Sequence, residues 1–195
     1  MGIDEAIGMI EVEGVAGIVL AGDAAVKAAD VELLGWESTG GFTTVFFAGP
    51  LSDVSAALRA GEAAARQVVE RVVAVPLSRP EPACRHYVSF PVVPEAAVRQ
   101  AALGLVETRG YGVQVVACDL MAKTAAVEVV NVLTVHNRVV CSLVQGDVGA
   151  VQEAVAAARA LLADYPHFLG SAVIPQPARA VLQAFAAPRS AGAGV

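Results

Sequence analysis

The residues of this chain that could do chemistry come in twos. Glu11 and Glu107 lie in matching apolar runs, Asp23 and Lys27 are echoed by Asp119 and Lys123, and Ser38-Thr39-Gly40-Gly41 has Val135-His136-Asn137-Arg138 as its counterpart. An enzyme needs a nucleophile with its base, or paired acids, converging in a cleft. Neither glutamate has a partner at such spacing, His86 and His167 sit in proline-flanked segments without one, and no Walker or dinucleotide fingerprint occurs. The glutamates read instead as acceptors for backbone donors at strand ends or subunit joints. Each aspartate precedes its lysine by four residues, which makes the two neighbours on one helical face and, at the least, a solvated ion pair. No catalytic role, cofactor or metal is expected. The three cysteines, Cys84, Cys118 and Cys141, are odd in number and widely spaced, the pattern of reduced thiols rather than a disulfide framework.

The pairs belong to a longer repeat. Ala6 to Glu32 and Ala102 to Glu128 match at 11 of 27 positions with a constant offset of 96. The echo resumes at Gly49 and Gly146, where GPLSDVSAALRAGEAAARQV lies over GDVGAVQEAVAAARALLADY with an offset of 97. One residue separates the copies, and the change falls after Trp36 and Val132, where they are least alike. The 195 residues therefore divide into two domains of about 90 residues. The expected boundaries are 1–85 and 86–187, with 188–195 as a disordered tail.

Each copy must contain elements that hold these residues. Ile7 to Val12 and Leu103 to Thr108 read as buried strands, each followed by a glycine. Alanine-rich, proline-free runs over about 16–29 and 113–125 favour helix. Val31 to Glu37 and Thr43 to Ala48, with Val127 to Thr134 and Val139 to Val144, predict two strands around a short loop. A second helix is predicted over about 53–70 and 148–163, with Pro50-Leu51-Ser52-Asp53 and Gly146-Asp147 supplying turn and N-cap chemistry. Val72 to Leu77 and Phe168 to Ile174 close the copies as strands. Tyr87 to Val93 is apolar enough to add a strand or pack across the joint, and Ala178 to Phe185 predicts a short helix.

Apolar residues make up 56% of the chain and charged ones 16%, against about 25% charged in an ordinary soluble domain. So little charge implies surface buried between subunits, hence oligomerisation. Charged residues punctuate every long apolar run, so no membrane span is expected. Met1 to Glu5 is acidic and precedes no signal-like segment, which predicts a cytosolic protein. A net charge of -6 without a basic cluster argues against nucleic acid as a partner.

The run ALGLVETRG, with an aspartate and lysine on the next helix, followed by GDVGAVQEAV and IPQP, resembles the bacterial microcompartment shell domain. AIGMIEVEG, AAVKAADVELLGWE, the loop Gly-Gly and Arg79-Pro80 carry the same resemblance in the first copy. It implies two tandem ferredoxin-like α/β (α+β) domains in unpermuted order, each a four-stranded, mainly antiparallel sheet with two main helices. It further implies a homotrimer imitating a hexamer, in a cytoplasmic shell beside hexameric and pentameric shell proteins, with encapsulated enzymes as further candidate partners. In such a tile the loops Ser38, Thr39, Gly40, Gly41 and His136, Asn137, Arg138 surround a central pore for small polar or anionic metabolites. Arg138 turned away to pair with a carboxylate, leaving the loop a plain tight turn, is the alternative. Lys27, Lys123 and Arg79 match residues that meet neighbouring tiles, and Gln176 replaces the arginine in the second copy. Neither loop holds a cysteine, so the iron–sulfur cluster of some relatives is not expected. A trimeric metabolite sensor that never tiles is the alternative function.

Overall fold

A computed structural model describes residues 5–39, 41–80, 88, 99–109, 111–135 and 139–186. The first copy runs β1 (Ala6–Glu13), α1 (Ala16–Ala28), β2 (Glu32–Thr39), β3 (Phe42–Gly49), α2 (Leu51–Ala65) and β4 (Val72–Leu77). The second repeats it as β5 (Ala102–Arg109), α3 (Tyr111–Thr124), β6 (Val127–Val135), β7 (Val139–Gly146), α4 (Val148–Leu162) and β8 (Phe168–Ile174). The sheets are ordered β2-β3-β1-β4 and β6-β7-β5-β8, and every adjacent pair is antiparallel. This is the predicted α+β architecture, twice over.

Alternation along β1 separates two faces. Ile10 and Val12 turn to the helices, and Ile7 packs on the other face with Phe46 and Val88. Gly8 lets α2 close on the sheet, since a Cβ there would lie 2.9 Å from Val54 Cγ1, and Gly104 plays the same part beneath Val151 and Val155 of α4. The copies also exchange matched residues. A Cβ on Gly61 would meet Ile10 Cδ1 at 2.5 Å, whereas the second copy has Val106 and Ala158 at these places, trading a methyl group on the strand for one on the helix. Thr108, Gln114 and Ser142 form a buried polar cluster where the first copy has Val12, Ile18 and Val45. Gln114 Nε2 donates to Val106 O and Ser142 Oγ, and its Oε1 accepts from Thr108 Oγ1, all at 2.8 Å, so the cluster is satisfied internally.

Two local expectations are corrected and a third is sharpened. Helix α2 starts at Leu51 and ends at Ala65, short of Glu70, because the chain turns through 66–68 and brings Val68 and Val69 onto the core. Pro50 and Asp147 occupy the N-cap positions of α2 and α4 without a side-chain cap bond, and their carbonyls accept the first helical N–H groups. The helix expected over 178–185 is α5 (Arg179–Val181) running into a π-helical turn, Leu182–Ala186. The strand considered at Tyr87 to Val93 lies outside the described residues except for buried Val88, and so does the tail.

Candidate functional site

Register places the difference between the copies in the hairpin loops. Both hairpins carry a bulge at equivalent positions, Leu33/Gly35 and Val129/Asn131, and both end in equivalent pairs, Thr39↔Phe42 and Val135↔Val139. Two residues, Gly40-Gly41, therefore link β2 to β3, and three, His136-Asn137-Arg138, link β6 to β7. The extra residue is in the loop itself. Gly41 has φ of +93°, a conformation that side-chain-bearing residues rarely adopt, and its carbonyl accepts from Gly14 N at 3.1 Å. Among the described residues nothing lies within 4 Å of a Cβ placed there, so its backbone angle is what demands glycine. Beside the loop the buried hydroxyls of Ser38 and Thr43, partners across the hairpin, have no hydrogen-bond partner among the described residues. Gly40, His136, Asn137 and Arg138 lie outside the described residues.

Gly14 also marks the joint between the two domains. Glu107, on β5 of the second domain and 1% exposed, accepts hydrogen bonds from the backbone N–H groups of Val15 and Ala16, the donors that open α1 of the first. The start of a helix offers unpaired N–H groups and partial positive charge, which suit a carboxylate. A side chain at Gly14 would collide with that carboxylate, 2.8 Å from Oε1, and Gly14 itself has φ of +94°. Burial pushes the Glu107 carboxyl up to about 7, more than the Val15 and Ala16 N–H groups pull it down, and nearby Glu13 adds to the rise. Burial likewise raises the Cys141 thiol, opposite Glu107 on β7. On the rim, Arg109 Nη2 reaches Glu13 Oε1 at 2.7 Å. The glutamate read as an acceptor at a joint is one, and the joint lies within a single chain.

Asp23 corrects the sequence reading. Its Oδ2 accepts from Lys27 Nζ at 2.6 Å, as expected of a helical pair, but its Oδ1 accepts from Ala178 N at 2.6 Å and ties the end of the second domain to α1. Beyond that tie, Phe185 stacks on Trp36 with ring centroids 5.5 Å apart, Trp36 Nε1 donates to Ala184 O at 2.9 Å, and Asn131 Nδ2 donates to Phe185 O at 2.8 Å. The C-terminal segment thus straps both domains. Asp119 and Lys123, the same residues at the same spacing, form the exposed surface pair that both were expected to be. The Asp23 side chain is 11% exposed and that of Asp119 58%. Lys27 and Lys123 keep much of their surface in solvent, and Arg79 is exposed just after β4.

Sequence reasoning missed the strap and the buried role of Asp23. Trp36 in the first copy against Val132 in the second was the available signal, since a tryptophan that appears in one copy alone implies a cover present there alone. Among the described residues no helix is long and apolar enough to cross a membrane, and no group of three metal-ligating side chains comes together.

The model of the BMC domain matches residues 6–77 and again 102–177. The chain is 31% identical to the carboxysome assembly protein CcmO of Synechococcus elongatus across 95% of this chain and 70% of that protein. A single-domain stretch is 48% identical to the bacterial microcompartment shell protein PduA of Salmonella typhimurium, over 34% of this chain and 71% of that one. A similar stretch is 45% identical to the carboxysome shell protein CsoS1 of Prochlorococcus marinus, over 38% of this chain and 71% of that one. With both repeats matched and the joint residues in register, the chain belongs to the BMC-domain family of bacterial microcompartment proteins, as a member with two such domains in tandem.

Proposed function

We propose that the protein is a structural tile of a microcompartment shell in the cytoplasm, in which three chains close a ring of six domains around a central opening. The observation that carries this reading is the domain joint. Two similar domains already meet inside one chain through a head-to-tail contact, and both copies retain its buried-strand glutamate, Glu11 or Glu107, and the glycine before the helix, Gly14 or Gly110. A head-to-tail contact repeated by a rotation that divides the full turn evenly closes into a ring, whereas any other rotation gives an open filament. The two hairpin loops, Ser38 to Gly41 and His136 to Arg138, then alternate around the opening. Their mixture of backbone N–H groups and cationic or neutral donors favours small polar or anionic metabolites.

Lys27, Lys123 and Arg79 are the edge residues in this reading, meeting other trimers and the hexameric or pentameric shell proteins. A lysine stem lies along apolar surface while its ammonium finds carbonyl oxygens, which makes the contact partly hydrophobic. Native mass measurement tests the ring, with a species of three chains expected. Electron microscopy tests the tile. Lys27→Ala combined with Lys123→Asp is expected to keep the trimer mass and abolish extended sheets, and unaltered sheets would refute the edge assignment.

A further inference from the structure

We propose that the carboxylate of Glu11 caps the start of α3 in a second copy of this chain, and that the valine-bearing α3–β6 face of that copy docks on the β1–β4 side of this one. The inference rests on the ring reading above and assigns its intermolecular contact. Within one chain, α1 and β2 of the first domain form a receiving face, covered by β5, β8 and the C-terminal strap of the second. Every residue of that face has a counterpart at the same register in the second domain. Its apolar counterparts lose their cover: Val19 is fully buried and Val115 is 59% exposed, while Trp36 is 5% and Val132 43% exposed. Asp23 is shielded by the strap and Asp119 is not. Val116 and Val129 extend the same uncovered apolar face. Among the described residues, the second domain thus presents the first domain's receiving surface touched by its own chain at the β6 edge, where Asn131 meets the strap, and with Val115, Val116 and Val132 exposed.

The complementary surface stands at the other end of the molecule. Glu11 occupies the strand position of Glu107 but is only part-buried, and it takes a hydrogen bond from Thr44 Oγ1 at 2.9 Å. Val73 and Val75 on β4 are exposed, whereas their counterparts on β8, Gly170 and Ala172, are partly covered, a Cβ on Gly170 meeting Val68 at 3.4 Å. Carrying the internal joint forward by one domain sets Glu11 against the backbone N–H groups of Tyr111 and Gly112, which correspond to Val15 and Ala16. It sets Val73 and Val75 near Tyr165, the counterpart of Val68. The occupant is a second copy because the residues that fit this face inside the chain recur on the chain's own first domain.

Sedimentation of the full chain over a range of concentrations tests the contact. Glu11→Lys places a cation at the start of α3 and is expected to raise the concentration at which trimers dissociate by about tenfold or more, since the lost hydrogen bonds are charge-assisted. Val115→Asp, a change at an exposed position, is expected to do the same while leaving the far-UV spectrum of a folded chain. A wild-type trimer that both variants keep at every concentration would overturn the Glu11 assignment and leave the ring standing. A wild-type chain that sediments as a monomer would overturn the ring, and this contact with it. If Glu11→Lys does not fold, Val115→Asp decides alone.

Discussion

Replacing Glu107 by alanine is the sharpest test of how the two domains are joined. The backbone N–H groups of Val15 and Ala16 sit in residues with 0% and 1% exposure and would lose their acceptor without gaining water. Each buried donor left unpaired costs about 1–3 kcal/mol, so Glu107→Ala is expected to remove about 3–5 kcal/mol of stability. For a chain of this size that is a fall in Tm of about 10 °C. Glu11→Ala, at the matching but part-buried position on β1, should cost less than about 1 kcal/mol in the isolated chain. Urea and thermal unfolding, run dilute enough that the midpoint no longer depends on concentration, separate the joint from any contact between chains. Equal losses for the two variants under those conditions would refute the assignment. The pH dependence gives a second reading. Glu107 titrates at about 7 in the folded chain against 4.5 when free, so between those values the folded state holds a proton that the unfolded state has released. Its contribution is complete below pH 4.5, declines as pH rises to 7 and is flat beyond, a change of about 3 kcal/mol. Glu107→Gln should flatten that decline, and an unchanged slope would show that another group causes it.

Two further substitutions probe pairs that the sequence presents as alike. Asp23→Ala should cost about 2 kcal/mol by releasing Ala178 and the strap, while Asp119→Ala should cost no more than about 0.5 kcal/mol, as measured by urea unfolding; similar losses would remove the clamp from the account. Gly61→Ala, which in an ordinary helix stabilises by about 1 kcal/mol, should here destabilise by about 1–3 kcal/mol, because the new methyl meets Ile10 and the Ala21 carbonyl oxygen. Adding Ile10→Val, which reproduces the Val106 and Ala158 combination, should recover part of the loss in a double-mutant cycle.

The fold was legible because its determinants are local and appear twice. Alternation along β1 and β5, glycines that admit a helix onto the sheet, and prolines that stop each copy depend on neighbouring positions and recur at a fixed offset. The element order, the duplication and the family likeness followed from them. The inserted residue could be narrowed only to a segment, because a one-residue shift is assigned by strand pairing, and the shared bulges and shared end pairs are what put it in the loop. The difference between Asp23 and Asp119 was out of reach of the sequence. Both copies spell aspartate, three residues and lysine on a helix, yet one aspartate fastens a distant segment and the other faces solvent. Periodicity records which face of an element is apolar and says nothing of what arrives to cover it. That was settled by one domain docking on the other and by the C-terminal strap crossing α1 and β2, contacts between residues some 150 positions apart that give the same short motif two environments.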